Sequence, residues 1–349
     1  MDYGHGGDIY TYQGMTDFST NINPLGPSSE VLRTARESLA HIGEYPDSRC
    51  RELVEALSKK EGIPGETVVP GNGAADLIFS LVFAKKPKKA VLTIPSFLEY
   101  EQALEAAGCE IVYARLHEEE NFCLTERYLD QLTEGVDLIF LCSPDNPSGQ
   151  AIEKALLEKI VQKCVDLQIT VVLDQCFYEF MEDQGQVMAA REAIKIPNIF
   201  LLRAFTKMYA LPGLRVGYGI SGNQELLKRL ESARQPWSVS GVAQAAACAA
   251  LEDQERVVRT RNFVSEERKM MEKELERIGV RYFPPSANYM LLKSKYDLFR
   301  LLKARKILIR DCSNYRGLKK GYYRIAVKGR QENRQLIEAL EEIYKEGRA

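Results

Sequence analysis

Residues 206–218 read TKMYALPGLRVGY, and the interpretation of the whole chain starts from this segment. Lys207 stands beside Met208 and Tyr209, and apolar surroundings disfavour the charged ammonium, lower the pKa and make the amine nucleophilic. Arg215 follows eight residues later, where its guanidinium can bind a phosphate. The segment therefore predicts a reactive amine next to an anion site, although most lysines are simply solvated surface charges.

Outward from this segment, short apolar runs alternate with amphipathic helical stretches between about residues 50 and 235. This alternation is typical of βαβ units around a buried, mostly parallel sheet. The runs are 90–94, 111–114, 138–142, 170–173, 199–202 and 216–220.

After Trp237 the pattern changes to a long charged helical region at about 240–277, four short strands and a final helix near 330–347. The four strands are expected near 279–282, 288–293, 306–310 and 322–327. We therefore predict three parts: an N-terminal arm belonging partly to the small domain (1–30), a large α/β domain (31–238) and a small α+β domain (239–349).

Composition excludes several classes of protein. The chain has 349 residues with 47 Lys and Arg against 49 Asp and Glu, so its balanced charge offers no long-range attraction for nucleic acid or anionic lipid. No apolar run approaches the roughly 20 residues that span a bilayer, and the first residues lack a secretory signal. Eight scattered cysteines and three histidines favour a cytoplasmic protein with reduced thiols and no metal site.

Ligands of open α/β sheets bind where the strands end, so the loops after the apolar runs carry the functional prediction. Gly71-Asn72-Gly73 precedes a helix at 74–83, whose N-terminus and free backbone N–H groups can bind a phosphate. Asp174 follows the run 170–173 directly, where it can cap a helix or face a protonated ring nitrogen. These loops predict one polar, glycine-rich site.

Three motifs in this order resemble those of fold-type-I enzymes that use pyridoxal 5'-phosphate. They are the lysine segment 206–218, the loop Ser143-Pro-Asp-Asn-Pro-Ser-Gly149, and Asp174. The resemblance implies an α/β fold with a mostly parallel seven-stranded sheet in the large domain and a smaller α+β domain. The glycine pattern at 217–222 also fits GxGxxG, but its position late in the sheet disfavours a dinucleotide site.

Further motifs resemble the threonine-phosphate decarboxylase family, a close relative of histidinol-phosphate aminotransferase. They are HGG at 5–7, NINPLG at 21–26, EYPD at 44–47, RQPWSV at 234–239, ILIRDCSNY at 307–315 and YYRIA at 322–326. The resemblance implies decarboxylation of L-threonine O-3-phosphate to (R)-1-aminopropan-2-ol phosphate for cobalamin and other cobamides. The alternatives are a class I/II aminotransferase acting on histidinol phosphate or an aromatic amino acid, and a non-catalytic cofactor-responsive sensor.

The resemblance also implies roles for individual residues. Lys207 would bond covalently to the cofactor aldehyde, Asp174 would keep the pyridine nitrogen protonated, and Asn146 would hydrogen-bond the ring 3-oxygen. The remaining cofactor contacts would be stacking by Phe97 and phosphate binding by Gly73, Ala74, Thr206, Arg215 and Tyr45. Tyr45 would reach the site of a neighbouring subunit, which implies a homodimer.

The predicted substrate contacts come from both ends of the chain. Arg324 resembles the family's carboxylate-binding arginine. The segment with His5 and Gly6, together with Asn23 and Arg310, would bind the substrate phosphate.

Several positions depart from the family pattern. Phe177 occupies the place of an aminotransferase tyrosine, which favours the decarboxylase. Ala204 removes a hydroxyl from the phosphate site, and Asp145 and Ser148 replace the commoner Asn and Thr. Asp8 replaces Asn, and a carboxylate pointing into the cavity would oppose a phosphorylated substrate.

Overall fold

The computed structural model describes residues 4–347. The strands are β1 (Thr16–Asp17), β2 (Val68–Gly71), β3 (Lys89–Ile94), β4 (Glu110–Arg115), β5 (Leu138–Cys142), β6 (Thr170–Asp174), β7 (Ile199–Ala204), β8 (Gly217–Ile220), β9 (Arg281–Phe283), β10 (Tyr289–Lys293), β11 (Ile307–Leu308), β12 (Arg310–Asp311) and β13 (Tyr322–Ala326). The helices are α1 (Ser29–Ser38), α2 (Arg51–Glu61), α3 (Gly73–Lys85), α4 (Leu98–Ala106), α5 (Lys154–Asp166), α6 (Ala190–Ala193), α7 (Gln224–Ala233), α8 (Gly241–Glu252), α9 (Gln254–Ile278), α10 (Leu298–Ala304) and α11 (Arg330–Glu346).

Seven strands form the large sheet in the order β2-β8-β7-β6-β5-β3-β4. β8 runs antiparallel to both of its neighbours, whereas the other pairs are parallel. Every residue of β5, β6 and β7 is buried, which explains why these strands are continuous apolar runs rather than alternating ones. The predicted mostly parallel seven-stranded sheet is confirmed.

The predicted helices differ from the structure mainly at one position. Ser28 caps α1 by accepting a hydrogen bond from the Val31 N–H, as its sequence position predicts. The single helical region expected at 240–277 is instead divided into α8 and α9. Asp253 lies between them, and its carboxylate accepts a hydrogen bond from the Arg256 N–H, so it caps α9.

A smaller antiparallel sheet has the order β12-β13-β10-β9, and α9 and α11 pack together beside it. β1 pairs in parallel with β11, so the N-terminal segment joins the C-terminal part of the chain. α8 packs against α1 and α2, on the side of the large sheet. Among residues 4–347 no helix combines the length and the hydropathy that a bilayer span requires.

Candidate active site

A cavity of about 270 Å³ lies where β5, β6 and β7 end, and it is closed by the N-terminal segment and the small sheet. The strands run in parallel, so their carboxyl ends and the loops after them meet at one edge. Most residues predicted from the sequence line this cavity: His5, Gly6, Ala74, Phe97, Asn146, Asp174, Thr206, Lys207, Arg215, Arg310 and Arg324.

The amine of Lys207 has an apolar and cationic environment. Its Nζ lies 5.4 Å from the centre of the Phe177 ring. Burial, together with the nearby positive charges of Arg324 and Arg215, lowers the pKa of Lys207 to about 8. The neutral, nucleophilic amine is therefore far more populated near neutral pH than it is for an ordinary lysine.

The carboxylate of Asp174 is held in a fixed orientation at the end of β6. The Tyr100 hydroxyl donates a hydrogen bond of 2.7 Å to Oδ2, and the Cys176 N–H donates one of 2.8 Å to Oδ1. Asp174 is only 4% exposed, and burial raises its pKa. A buried carboxylate with neutral hydrogen-bond donors is stabilised by a cation, so this position fits a protonated ring nitrogen.

The start of α3 and the lysine segment form a narrow cradle for an anion, made by Gly73, Ala74, Arg215 and Gly217. A Cβ atom added at Gly73, whose φ is +80°, would lie 2.5 Å from Nη2 of Arg215. A Cβ atom at Gly217 would lie 2.8 Å from the backbone nitrogen of Ala74. Glycine at both positions leaves the first N–H groups of α3 and the Arg215 guanidinium open to one anion.

Asn146 and Arg324 contact each other in the wall of the cavity. The Asn146 Oδ1 accepts hydrogen bonds from Nη1 of Arg324 and, at 3.4 Å, from the Tyr315 hydroxyl. This leaves Nδ2 as the amide's donor for an oxygen of a bound group. Nη2 of Arg324 donates to the Ser19 carbonyl oxygen at 2.9 Å, while its buried Nε has no partner among the described residues.

Arg310 lies beside Arg324, because the two residues are paired across β12 and β13. Its guanidinium donates hydrogen bonds to neutral oxygens: the carbonyls of Asp311 and Gly4 and, at 2.8 Å, Oδ1 of Asn314. Both arginines are less than 10% exposed. The cavity thus contains two buried positive charges in addition to Arg215.

Three predicted residues are not among those that line the cavity: Gly73, which lies beside Arg215 in the cradle, Asn23 and Tyr45. The Asn23 amide donates to the Met208 carbonyl at 2.7 Å and to Oγ1 of Thr260 at 3.1 Å, and its backbone N–H donates to the Lys207 carbonyl. Asn23 therefore stabilises the backbone of the lysine segment and does not line the cavity. Tyr45 is 82% exposed and packs on the Trp237 ring at 4.7 Å.

A buried polar network anchors the lysine segment to α2. The Lys60 ammonium donates to Oε1 of Glu179 at 2.8 Å and to the Tyr209 hydroxyl at 2.6 Å. The Tyr209 hydroxyl in turn donates to Glu179 at 2.8 Å. Because Tyr209 is two residues from Lys207, this network fixes the backbone that carries the reactive amine.

A second buried group supports the end of β6. Arg203 donates to Oε2 of Glu61 at 2.6 Å and to Oε1 of Gln175 at 2.8 Å and 3.1 Å. The Tyr218 hydroxyl donates to the other Glu61 oxygen at 2.8 Å. Since Gln175 follows Asp174 directly, this ion pair helps to fix the backbone beside the Asp174 carboxylate.

The departures from the family pattern have local explanations. Asp8 is exposed, lies outside the cavity lining and accepts a hydrogen bond from the Thr11 N–H at 3.1 Å. Its charge therefore does not oppose an anion in the cavity. The Asp145 carboxylate accepts a hydrogen bond of 2.6 Å from the Ser148 hydroxyl, so these two substitutions complement each other.

Several residues that line the cavity were not predicted from the sequence, among them Glu99, Tyr100 and Asn21. Tyr100 follows Phe97 by three residues at the start of α4, and this spacing could have placed both on one helix face. Asn21 lies in the quoted motif two residues before Asn23, and its buried Oδ1 has no partner among the described residues. No sequence signal distinguished Glu99 from an acidic residue at a helix start.

The comparison with protein families identifies the fold family. Residues 13–340 match the family described as aminotransferase class I and II. The chain belongs to this family. Its sequence is 36% identical over 352 residues to threonine-phosphate decarboxylase of Salmonella typhimurium, with 97% of this chain and 96% of that protein covered.

Two solved structures of related enzymes have the same fold as this chain. Histidinol-phosphate aminotransferase from Clostridium acetobutylicum superposes with a TM-score of 0.88 at 29% identity, covering 94% of this chain and 99% of that one. L-threonine-O-3-phosphate decarboxylase from Porphyromonas gingivalis superposes with a TM-score of 0.83 at 26% identity, with the same coverage.

Pyridoxal 5'-phosphate is the cofactor of this aminotransferase family, and the residues of this chain fit it. The glycine cradle with Arg215 suits its phosphate, and Lys207 supplies an amine for its aldehyde. The buried Asp174 carboxylate suits its ring nitrogen, and Phe97 lines the cavity next to Tyr100. The chain is thus a cofactor-dependent enzyme of the family.

Proposed function

We propose that this enzyme decarboxylates L-threonine O-3-phosphate to (R)-1-aminopropan-2-ol phosphate, a reaction suited to cobamide synthesis. The observation that carries the proposal is the pair Arg310 and Arg324, two buried cations with neutral partners in one cavity. A phosphorylated amino acid brings two anionic groups, a carboxylate and a phosphate. The similarity to threonine-phosphate decarboxylase over nearly the whole chain supports the same substrate.

Each anionic group of the substrate has its own arginine. We assign the carboxylate to Arg324, which is closer to the reacting centre because it contacts Asn146. We assign the phosphate to Arg310 and to His5, which lies at the same side of the cavity. Arg324 and Arg310 then fix the two ends of the substrate, so its amine is presented to Lys207.

The cofactor, when bound, supplies a ring that accepts the electron pair released when a bond to the substrate's Cα breaks. Asp174 would hold the pyridine nitrogen in its protonated form, because its carboxylate oxygens are fixed by Tyr100 and Cys176 and stabilise a cation beside them. Arg324 would hold the substrate carboxylate beside Asn146, and would thereby favour breaking of the bond between that carboxylate and Cα. Lys207, with its pKa lowered to about 8, can exchange protons with the substrate near neutral pH.

Phe177 supports decarboxylation over transamination. Its ring lies 5.4 Å from the Lys207 Nζ and packs edge-on against Tyr289 at 4.9 Å. An aminotransferase tyrosine at this position would add a hydroxyl near the cofactor oxygen. Phenylalanine leaves that oxygen to the Asn146 amide.

The proposal is tested by incubating the holoenzyme with L-threonine O-3-phosphate in the absence of any 2-oxo acid. We expect stoichiometric release of CO2 and formation of aminopropanol phosphate. L-threonine serves as the matched control substrate, because it lacks the group that Arg310 would bind, and we expect its turnover to be much slower. No CO2 from the phosphorylated substrate would refute the proposal.

Transamination of histidinol phosphate is the second candidate, favoured by the close superposition with the Clostridium acetobutylicum enzyme. Histidinol phosphate has no carboxylate, so Arg324 would be left to bind the 2-oxo acid alone. Glutamate dehydrogenase-coupled measurement of glutamate formed from 2-oxoglutarate discriminates the two activities. Glutamate formation without CO2 release would favour this candidate.

We also propose that the enzyme is a homodimer in the cytoplasm. Tyr45, Ile42, Leu39 and Trp237 are large apolar or aromatic side chains with 46–82% of their surface exposed on one protomer, which supports a covered face. Eight free cysteines, five of them buried, support a reducing compartment.

A mixture of the inactive variants Lys207→Ala and Tyr45→Ala should regain part of the activity if Tyr45 serves the neighbouring site. Failure to regain activity in a verified mixed dimer would contradict that role.

A further inference from the structure

Glu99 places a carboxyl group in the wall of a cavity that must accept anions. It lies in the first turn of α4, between Phe97 and Tyr100, and its side chain is 16% exposed. Its Oε2 is buried and has no hydrogen-bond partner in residues 4–347. None of the roles proposed for Lys207, Arg310 and Arg324 involves this carboxyl group.

The charged and titratable groups around Glu99 come from every side of the cavity. Lys207 and Arg310 favour its ionised form, whereas Asp174 opposes it. His5 approaches most closely, with Nδ1 at 3.8 Å from Oε1, which is too long for a hydrogen bond. Tyr315 on the small domain also faces Glu99, and Tyr100 follows it on α4.

Neither neighbouring cation neutralises Glu99 by direct contact. Burial and the charge of Arg310 lower the pKa of His5, so the imidazole is largely neutral near pH 7. Arg310 donates hydrogen bonds to the neutral oxygens of Asp311, Gly4 and Asn314. Burial outweighs these charges and raises the pKa of Glu99 to about 7.

A carboxylate and a phosphate dianion are both acceptors only, so they cannot share a hydrogen bond without an added proton. We propose that Glu99 is a specificity-determining residue that takes up one proton from solvent when an anion binds at the Arg310 and His5 side of the cavity. The protonated carboxyl group then donates a hydrogen bond from the otherwise unpartnered oxygen to the phosphate ester. This inference rests on the proposed function and states how the same site accepts its phosphate.

The consequence is a defined dependence of anion affinity on pH. Binding to the protonated form alone weakens affinity about tenfold for each pH unit above the pKa of the free enzyme. With that pKa near 7, affinity should fall about tenfold between pH 6 and pH 8. At pH 7 each anion bound should take up about half a proton, because about half of the free molecules are ionised.

Sulfate is a suitable probe because it remains a dianion across this range and does not react. Titration calorimetry of the holoenzyme with sulfate at pH 7, in two buffers with different ionisation enthalpies, measures the proton uptake directly. We expect about half a proton per sulfate for the wild type and a tenfold loss of affinity from pH 6 to pH 8. Wild-type binding without proton uptake, or no detectable binding, would overturn the proposal.

Three variants identify the group that takes up the proton. Glu99→Gln keeps the size and a donor, so we expect sulfate binding with no uptake and no pH dependence. Glu105→Gln, exposed on the same helix, is the matched control and should behave as the wild type. His5→Asn should retain the uptake. Loss of uptake in His5→Asn with retention in Glu99→Gln would overturn the assignment.

This experiment separates failure of the inference from failure of the proposed function. Proton uptake that requires Glu99 in an enzyme releasing no CO2 from L-threonine O-3-phosphate leaves the Glu99 role intact and refutes the function. CO2 release together with pH-independent sulfate binding refutes the role of Glu99 alone.

Discussion

Replacing Gly73 with Ala tests the phosphate cradle at its narrowest point. The φ of +80° is a left-handed backbone conformation that costs a residue with a Cβ roughly 1–2 kcal/mol. The new methyl group would also lie 2.5 Å from Nη2 of Arg215, so the guanidinium must move. Loss of one hydrogen bond to a charged group costs about 1.5–3 kcal/mol. We therefore expect cofactor affinity to fall about 10- to 150-fold.

The assay is absorbance titration of apoenzyme with pyridoxal 5'-phosphate, with thermal unfolding measured in parallel. Gly213→Ala is the matched control, because no atom lies within 4 Å of its added Cβ and its φ is not in the left-handed region. If displacement of Arg215 is the cause, adding Arg215→Ala to the Gly73 variant should weaken binding little further. Wild-type affinity in Gly73→Ala would refute the reasoning, as would equal losses in both glycine variants.

Three other predictions concern the site and its support. Glu61→Gln leaves Arg203 buried without its ion-pair partner, so the free energy of unfolding should fall by about 3–5 kcal/mol in urea denaturation. Glu37→Gln, which breaks a pair more than half exposed, should change it by less than about 1 kcal/mol, and equal effects would contradict this. Lys207 should deprotonate as pH rises, so acylation of the apoenzyme amine should accelerate up to about pH 8 and then level off. An inflection near pH 10, or one that persists in Lys207→Ala, would contradict the lowered pKa. Phe177→Tyr should raise the glutamate formed per CO2 released with 2-oxoglutarate present, and an unchanged ratio would exclude that residue as a determinant of the reaction.

The sequence predicted six strands of the large sheet because each is a continuous apolar run. β2 was missed, since Val68-Val69-Pro70-Gly71 is short and its last two residues are typical of turns. The antiparallel direction of β8 has no local sequence signal, because strand direction depends on how the chain returns to the sheet. The break at Asp253 could have been predicted from its capping position, but the charged pattern continues across it.

Local motifs singled out residues that the structure brings together in one cavity, as with Lys207 and Asn146. Partnerships between distant segments were not predictable from the residues. Tyr100 lies 74 positions from Asp174, and the Asn23 amide bonds a carbonyl 185 positions away. For Asn23 the sequence motif was recognised, but the motif did not show that the side chain points towards the Met208 carbonyl instead of into the cavity. That direction depends on packing against α9, through Thr260.

The most direct test of the central claim is the fate of the Cα hydrogen when the holoenzyme converts L-threonine O-3-phosphate in D2O without a 2-oxo acid. Breaking the bond to the carboxylate held by Arg324 should leave the original hydrogen in place. NMR of the product should therefore show aminopropanol phosphate with one deuterium at the carbon that carried the carboxylate. Loss of the original hydrogen, or a 2-oxo product that retains its carboxylate, would contradict decarboxylation as the reaction of this site.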